Sequence, residues 1–324
     1  MRLTQLMLVA MTCVACCAGG PIFAQDYPNR PVRIVVPFAA GGSVDLLARV
    51  VGGRLSEQIK QPVVIENRTG AGGNIAADMV AKSAPDGYTI LQTTVGQAIA
   101  PAIFRKLPFD PVNDFVPVTQ LTSSTLILVA SPHLPMVKSI PDLVEFAKAR
   151  PGTLNYGMSG AGNPLHLTME MIKVAAGLDI VGVPYKADAP IMAALISGEV
   201  HVAVVPLSMA RPLVESGQIR ALGVTGTRRS SVLPDVLTIS ETVGHFESSS
   251  WQGWFAPAKT PRSIVDLLAA EAAKALATPE VRERLREWVN EPVGSTPAQF
   301  ETFFRAEVAK FGRVVNEAHI PLQD

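Results

Sequence analysis

The sequence predicts an α/β protein with largely parallel sheets, arranged as two lobes, on three observations. Short β-branched runs alternate with amphipathic segments from Val32 to Ser216, the pattern in which helices cover the faces of a mostly parallel sheet. One stretch, Phe115 to Ala130, holds two extended runs, Val116–Leu121 and Leu126–Ala130, with only Thr122–Thr125 between them, which suits a crossing from one lobe to the other. After an N-terminal leader about 300 residues remain, a length for one large domain or two smaller ones.

The leader comes first. Arg2 supplies a minimal positive region, Leu6 to Ala18 an apolar stretch, and Ile22-Phe23-Ala24 a small residue before a cleavage point, so residues 1–24 read as a signal peptide and the mature chain as starting near Gln25. The apolar stretch is shorter than the roughly 20 residues of a spanning helix and is broken by Gly19-Gly20-Pro21. All 3 cysteines, Cys13, Cys16 and Cys17, lie inside the leader, so the mature chain has no thiol with which to form a disulfide. Lipidation of Cys16 after Val14-Ala15 is the alternative, weakened by Cys13 at an apolar position. The chain carries 28 Lys and Arg against 28 Asp and Glu; loss of Arg2 leaves 27 against 28. This balance, with no basic run among aromatics, argues against nucleic acid as a partner.

In order along the chain, Val32–Val36 reads as a strand, and Leu46, Leu47, Val50, Val51 and Leu55 mark one face of a helix. Strand Val63–Ile65, helix Ile75–Lys82, a turn at Pro85-Asp86-Gly87 and strand Tyr88–Gln92 follow. Beyond the crossing come strand Leu154–Tyr156, helix Leu165–Ala176, strand Ile180–Val183, helix Pro190–Ser197, strand Val200–Val205 and helix Met209–Ser216, which Gly217 ends in a left-handed turn. Arg220–Thr225 reads as the return crossing. This gives residues 25–122 and 223–324 as lobe 1 and 123–222 as lobe 2. Thr260-Pro261, Thr278-Pro279 and Thr296-Pro297 each place a hydroxyl before a proline and announce three C-terminal helices. Trp251 and Trp254 read as part of a packed strand.

Three loops at strand-to-helix junctions carry the functional signal. In PFAAGGSVDLLAR, Pro37 to Arg49, Gly41 and Gly42 allow close backbone approach, Ser43 is placed to cap the helix, and Asp45 sits in its first turn. Free amides there can hold an anionic oxygen; the loop alone fits a plain capped connection equally well. TGAGGN, Thr69 to Asn74, lacks the third glycine and the following acidic residue of a dinucleotide site. YGMSGAGNPLHL, Tyr156 to Leu167, nearly spells a nucleophile elbow at Ser159. Several residues separate Ser159 from the helix start at Asn163-Pro164, which does not fit the sharp turn of an elbow. His133, His166, His201, His245 and His319 show no metal-ligand spacing, so no metal and no cofactor are expected.

Six segments in order resemble one family, the periplasmic Bug receptors of tripartite tricarboxylate transporters: YPNRPVRIVVPFAAGGSVDLLAR, VVIENRTGAGGNIAADMVAKSAPDGYTIL, NYGMSGAGNPLHLTMEMIK, VPYKADAP, GQIRALGVTGTRRSSVLPDV and WQGWFAPAKTP. The resemblance runs from Tyr27 to about Phe311. It implies a two-lobed type II periplasmic binding fold with the ligand cleft between lobes. It also implies a monomer that captures a small organic carboxylate or amino acid, without catalysis, and hands it to membrane transporter subunits. By that resemblance the cleft contacts are backbone amides and small hydroxyls. They fall on Phe38, Ala39, Ala40, Gly41, Gly42, Ser43 and Asp45; on Thr93 and Thr94; on Ser159, Gly160, Ala161, Gly162 and Asn163; and on Lys186 to Asp188, of which Lys186 and Asp188 carry polar groups. Val44, Ala187 and His201 depart from residues common in the family, and Val44 is expected to remove a hydroxyl contact. A serine hydrolase built on Ser159, and a receptor that signals to a membrane partner instead of delivering solute, are the competing functions.

Overall fold

A computed structural model describes residues 27–324. The leader and its cysteines lie outside the described residues. In the first half of the chain, strand β1 (Val32–Val36) leads into helix α1 (Ser43–Ile59), then β2 (Val63–Asn67), α2 (Asn74–Ala81), β3 (Thr89–Thr94) and α3 (Gly96–Ile103). The long strand β4 (Phe115–Ala130) follows, then α4 (Ile140–Ala149), β5 (Leu154–Met158), α5 (Pro164–Ala176), β6 (Ile180–Pro184), α6 (Asp188–Ser197), β7 (Val202–Pro206), α7 (Leu207–Glu215) and β8 (Arg220–Val224). A short helix, α8 (Ser240–Val243), precedes β9 (Ser249–Pro257), α9 (Arg262–Ala277), α10 (Pro279–Glu287), β10 (Glu291–Pro292) and α11 (Pro297–Glu317).

The two extended runs expected on either side of Thr122–Thr125 form one unbroken strand. Phe115 to Thr125 pairs antiparallel with β9, bulging between Pro117 and Thr119 and between Gln120 and Thr122, and β10 pairs on its other edge. Leu126 to Ala130 then pairs with β7 on one edge and, from Ile127, with β8 on the other. The sheet is therefore mixed rather than largely parallel. β2-β1-β3 and β6-β5-β7 are parallel, while β4, β8 and β9 bring in the antiparallel ladders. The segment Arg220–Thr225, expected to return to the first lobe, lies beside Ile127–Ala130 instead.

Strand direction decides where the loops fall. β4 runs parallel in sense to β3 and carries on past Thr125, while β7 runs against it and ends at Pro206 opposite Leu126. The carboxyl ends of β1, β2 and β3 on one side, and of β5, β6 and β7 on the other, thus point toward the middle of β4. Ligands of open α/β sheets bind at such ends.

Helices cover both faces of each half-sheet. Leu47, Val51 and Leu55 of α1 pack with Val265 and Leu268 of α9 on one face of the first half, and Ala77, Ile99, Phe300, Phe304 and Phe311 fill the other. In the second half, Leu143 and Ile172 of α4 and α5 oppose Ile191, Leu195 and Ala210 of α6 and α7.

Of the three expected threonine caps, only Thr296 forms one, a reciprocal box with Gln299. The Thr278 hydroxyl donates back to Ala275 O at 2.8 Å and that of Thr260 to Pro257 O at 2.7 Å, so each closes the element before it. Gly217 takes the expected left-handed conformation (φ 73°).

Gly253 sits in β9 between Thr93 and Gln120. An added Cβ would lie 2.8 Å from Phe300 Cε1 and 3.1 Å from Thr119 O, and Phe300 is fully buried among Trp251, Phe255 and Phe304. Overpacking of this kind costs about 1–3 kcal/mol. Gly253→Ala should lower the unfolding free energy by that amount in urea titration, without loss of the fold.

Candidate functional site

The turn after β1 is built around one carboxylate. Asp45, 1% exposed, accepts from the Gly41 amide at 2.8 Å, from Arg49 Nε at 2.9 Å and from Asn67 Nδ2 at 2.9 Å. Asn67 Nδ2 also donates to Phe38 O at 3.0 Å, tying both ends of the turn to β2. With these donors around it, Arg49 foremost, the carboxyl is held down at a pKa of about 2. Both oxygens of Asp45 are therefore engaged in shaping the turn.

Ser43 is not the helix cap that the sequence suggested. Gly42 occupies that position with extended backbone (φ −75°, ψ 165°), and no side chain caps α1. The reason is Asp45: by binding the Gly41 amide it places the chain reversal one residue earlier, with Gly41 at φ 83°. Consequently the amides of Ser43, Val44 and Asp45 meet no acceptor among the described residues, although the next one, Leu46, bonds Gly42 O at 2.9 Å. Ala39, Ala40, Gly41, Gly42 and Ser43 are exposed, and Phe38 is half-buried. Val44 is 5% exposed and belongs to the core, so the hydroxyl contact expected to be missing there would have pointed away from the turn.

Buried Gln92 anchors this helix start to the sheet. Its Nε2 donates to Val44 O at 3.0 Å, and its Oε1 accepts from Trp254 Nε1 at 2.8 Å. Sequence reasoning missed Gln92; a lone amide inside an apolar strand was the available signal. Thr93 is buried at 7% and Thr94 is half-exposed, its hydroxyl accepting from the Gly96 amide at 3.3 Å.

In the second half, Ser159 donates to Asp188 at the start of α6, and Asn163 Nδ2 donates to Ser159 O and Oγ at 2.7 and 2.9 Å. Asn163 Oδ1 caps α5 by accepting from the His166 amide at 2.8 Å, as its position before Pro164 suggested. Gly160 and Gly162 have φ of 112° and 75°, and Ala161 O accepts from Gln323 Nε2 at 2.7 Å. Thus Ser159, Asn163 and Asp188 are brought together. Lys186 is exposed and makes no hydrogen bond or ion pair among the described residues. No histidine bonds Ser159: its hydroxyl faces carboxylate and amide, and His166 Nδ1 is taken by the Gly162 amide. A nucleophile needs a base in contact, so the elbow-like spelling is not matched by elbow chemistry.

Between the halves, over the middle of β4, lies a cavity of about 440 Å³. Ser43 and Leu46 of α1 line it from one side, Pro206 to Met209 from the other, and Ser124, Thr125, Ser250 and Gln252 form its floor. The residues at the β7–α7 junction went unrecognised in the sequence because that turn has no glycine. α7, like α1, starts without a side-chain cap. Glu287 is the one charged side chain lining this cavity, and it pairs with Arg284. Among the described residues no group of histidine, cysteine and carboxylate side chains could hold a metal, and no helix is long and apolar enough to cross a membrane.

The family model described as "Tripartite tricarboxylate transporter family receptor" matches residues 47–320. This chain is similar to BugT of Bordetella pertussis, at 34% identity over 328 residues and with 100% of both chains covered. It is also similar to two solved structures. R. palustris Rpa4515 with adipate is 39% identical, with TM-score 0.76, covering 92% of this chain and 100% of that one. MatC from Rhodopseudomonas palustris with bound malate is 32% identical, with TM-score 0.72, covering 89% and 100%.

Asp45 gives the turn a pH signature. A carboxyl lowered from 3.8 to about 2 contributes stability that is complete above the unfolded value and is lost as pH falls through the folded one. Asp45→Ala removes three hydrogen bonds to a buried carboxylate, one of them from the Arg49 guanidinium, at about 1–3 kcal/mol. Urea unfolding from pH 6 to pH 2 should show that deficit at pH 6 and its disappearance toward pH 2.

Proposed function

This chain belongs to the receptor family of tripartite tricarboxylate transporters, and from that premise we propose that it is a periplasmic monomer closing its two lobes on a small organic carboxylate. Its structural neighbours are solute-binding receptors, and the chain is a receptor rather than an enzyme. The leader at residues 1–24 directs it to the periplasm, where it presents the solute to the membrane subunits of such a transporter. Adipate and malate, bound by the two R. palustris proteins, make dicarboxylates the first candidates, with acidic amino acids next.

The observation that carries this reading is the uncapped start of α1 on the cavity wall. The free amides of Ser43, Val44 and Asp45 offer fixed donors at the positive end of a 17-residue helix, the arrangement that receives anionic oxygens. Pro206 to Met209 supply the facing wall of the cavity; Ser159, Asn163 and Asp188, with Gly160 to Gly162, and Thr93 and Thr94, none of which lines it, are cleft contacts in our assignment on the family resemblance. Lobe 1 is residues 25–122 and 223–324, and lobe 2 is 123–222. The pairing of β8 with Ile127–Ala130 favours drawing the return boundary later, near Ser248. A cavity of about 440 Å³ falls in the range of about 300–1,000 Å³ typical of small-molecule sites.

A thermal-shift screen of mono- and dicarboxylates, aromatic acids and acidic amino acids tests the reading. A ligand at 100-fold its dissociation constant should stabilise the fold by about 2.7 kcal/mol, and no shift with any of them would contradict it. With the ligand so found, Gly41→Val should weaken binding more than tenfold, or about 1.4 kcal/mol. Its side chain would stand in the open space before the amides, at a φ of 83° that disfavours it. Lys186→Ala should cost less; the reverse order would put a charge clamp in place of the backbone donors.

A further inference from the structure

The loop Ser159–Asn163 is held from below by α5 through two side chains. Asn163 caps the helix, and His166 Nδ1 accepts the Gly162 amide at 2.9 Å. An amide donates only to an unprotonated nitrogen, so His166 must carry its proton on Nε2. That nitrogen faces Glu170 Oε1 at 3.9 Å. The Glu170 carboxylate is already engaged by Tyr156 Oη at 2.6 Å and Lys173 Nζ at 2.7 Å, and the imidazole lies nearly parallel to the Tyr156 ring. Gly162 itself is wedged against lobe 1: an added Cβ would stand 2.6 Å from Ile103 Cγ1. Ile103 therefore leaves Gly162 little room to move toward lobe 1.

We propose that His166 is a positioning residue for ligand binding: as a neutral imidazole it fixes the Gly162 amide and with it the shape of the loop, and protonation releases the loop. The part concerning ligand rests on the cleft assignment above; the link from His166 to Gly162 does not.

A proton on Nδ1 would turn the acceptor into a donor facing a donor. Burial opposes that proton and holds the His166 pKa below the ordinary histidine value, with Glu170 acting against the shift and Lys173 adding to it. From β5 the neighbour is the neutral Tyr156, and from α6 it is Asp188, bonded to Ser159. The C-terminal tail contributes neutral Gln323, with the Arg105–Asp324 pair beyond it, and α11 brings Glu307 and Lys310, which pair with each other. A histidine with its folded value depressed keeps its neutral-state bond above the unfolded value near 6.5 and loses it as pH falls through the folded one. If the ligand needs the formed loop, its dissociation constant should rise by up to about tenfold per pH unit below that point.

The test compares the mature chain with His166→Leu, His166→Asn and His166→Gln. Asparagine sets an oxygen near the Nδ1 position and does not titrate; glutamine reaches toward Nε2. Long-range ¹H–¹⁵N correlation should show an unprotonated Nδ1 at pH 8. Hydrogen exchange of the segment 159–165, corrected for intrinsic rates, should lose protection as His166 titrates. Protection should fall at least tenfold in His166→Leu at every pH, return in His166→Asn without the acid-dependent loss, and not return in His166→Gln. A proton on Nδ1 at pH 8, full protection in His166→Leu, or His166→Asn no better than His166→Gln would overturn the proposal. If His166→Leu fails to fold, the wild-type titration against His166→Asn still decides it. Where adipate or malate binds, calorimetry should show acid weakening in the wild type and none in His166→Asn, and equal acid weakening in both would count against the role. Exchange and tautomer need no ligand, so their failure is distinguishable from a failure of the carboxylate reading.

Discussion

The hydrogen bonding of β4 to four other strands is the constraint on which the rest of the structure depends. Phe115 to Thr125 is bonded to β9 on one edge and is met by β10 on the other, and Leu126 to Ala130 is flanked by β7 and β8. A strand that is interior to both half-sheets fixes them to a common axis. Because β4 leaves the first half where the parallel strands of both halves end, the loops at those ends are gathered around Thr122–Leu126. Thr225 strengthens the same point, its amide donating to Leu126 O at 3.0 Å and its hydroxyl accepting from the Leu126 amide at 3.1 Å. The second link between halves, from Thr225 to β9, passes beside it, with Ser248 bonding Thr225 O at 3.0 Å.

Around that axis, the chain prepares a polar site with backbone more than with charge. Asp45 spends its carboxylate on the turn it belongs to, so its negative charge is neutralised by donors before any ligand arrives. The same bonds leave the following three amides unclaimed. In the loop after β5 the backbone is likewise held by side chains: Asn163 and His166 fix it, and Ser159 is tethered to Asp188. Amides have fixed geometry and no titration of their own, which suits a carboxylate, whereas the side chains that orient them can titrate.

Much of this was legible in the sequence. The turn at Gly41 and Gly42, the cap at Asn163 and the doubled extended run of β4 all announce themselves through residue type and spacing. What stayed hidden had a physical cause. Whether Thr260, Thr278 or Thr296 caps a helix depends on competition from the carbonyl three residues earlier, which spacing does not reveal. The position of β8 is a pairing choice between two lobes, and an extended run alone does not specify its neighbour. Helix α4 carries a readable start in Ser139, Pro141 and Asp142, while α3 contains Pro101 in its interior, against local preference. The junction at Pro206 to Met209 reaches the cavity because of the direction of β7, a fact of topology rather than composition.

A crystal structure of the mature chain with the carboxylate identified by screening tests the central claim most directly. The account predicts carboxylate oxygens within hydrogen-bond distance of the amides of Ser43 to Asp45, directly or through one water, with the opposite face of the ligand against the second lobe. A carboxylate paired with Lys186 or another cationic side chain, with the turn at Gly41 untouched, would contradict it.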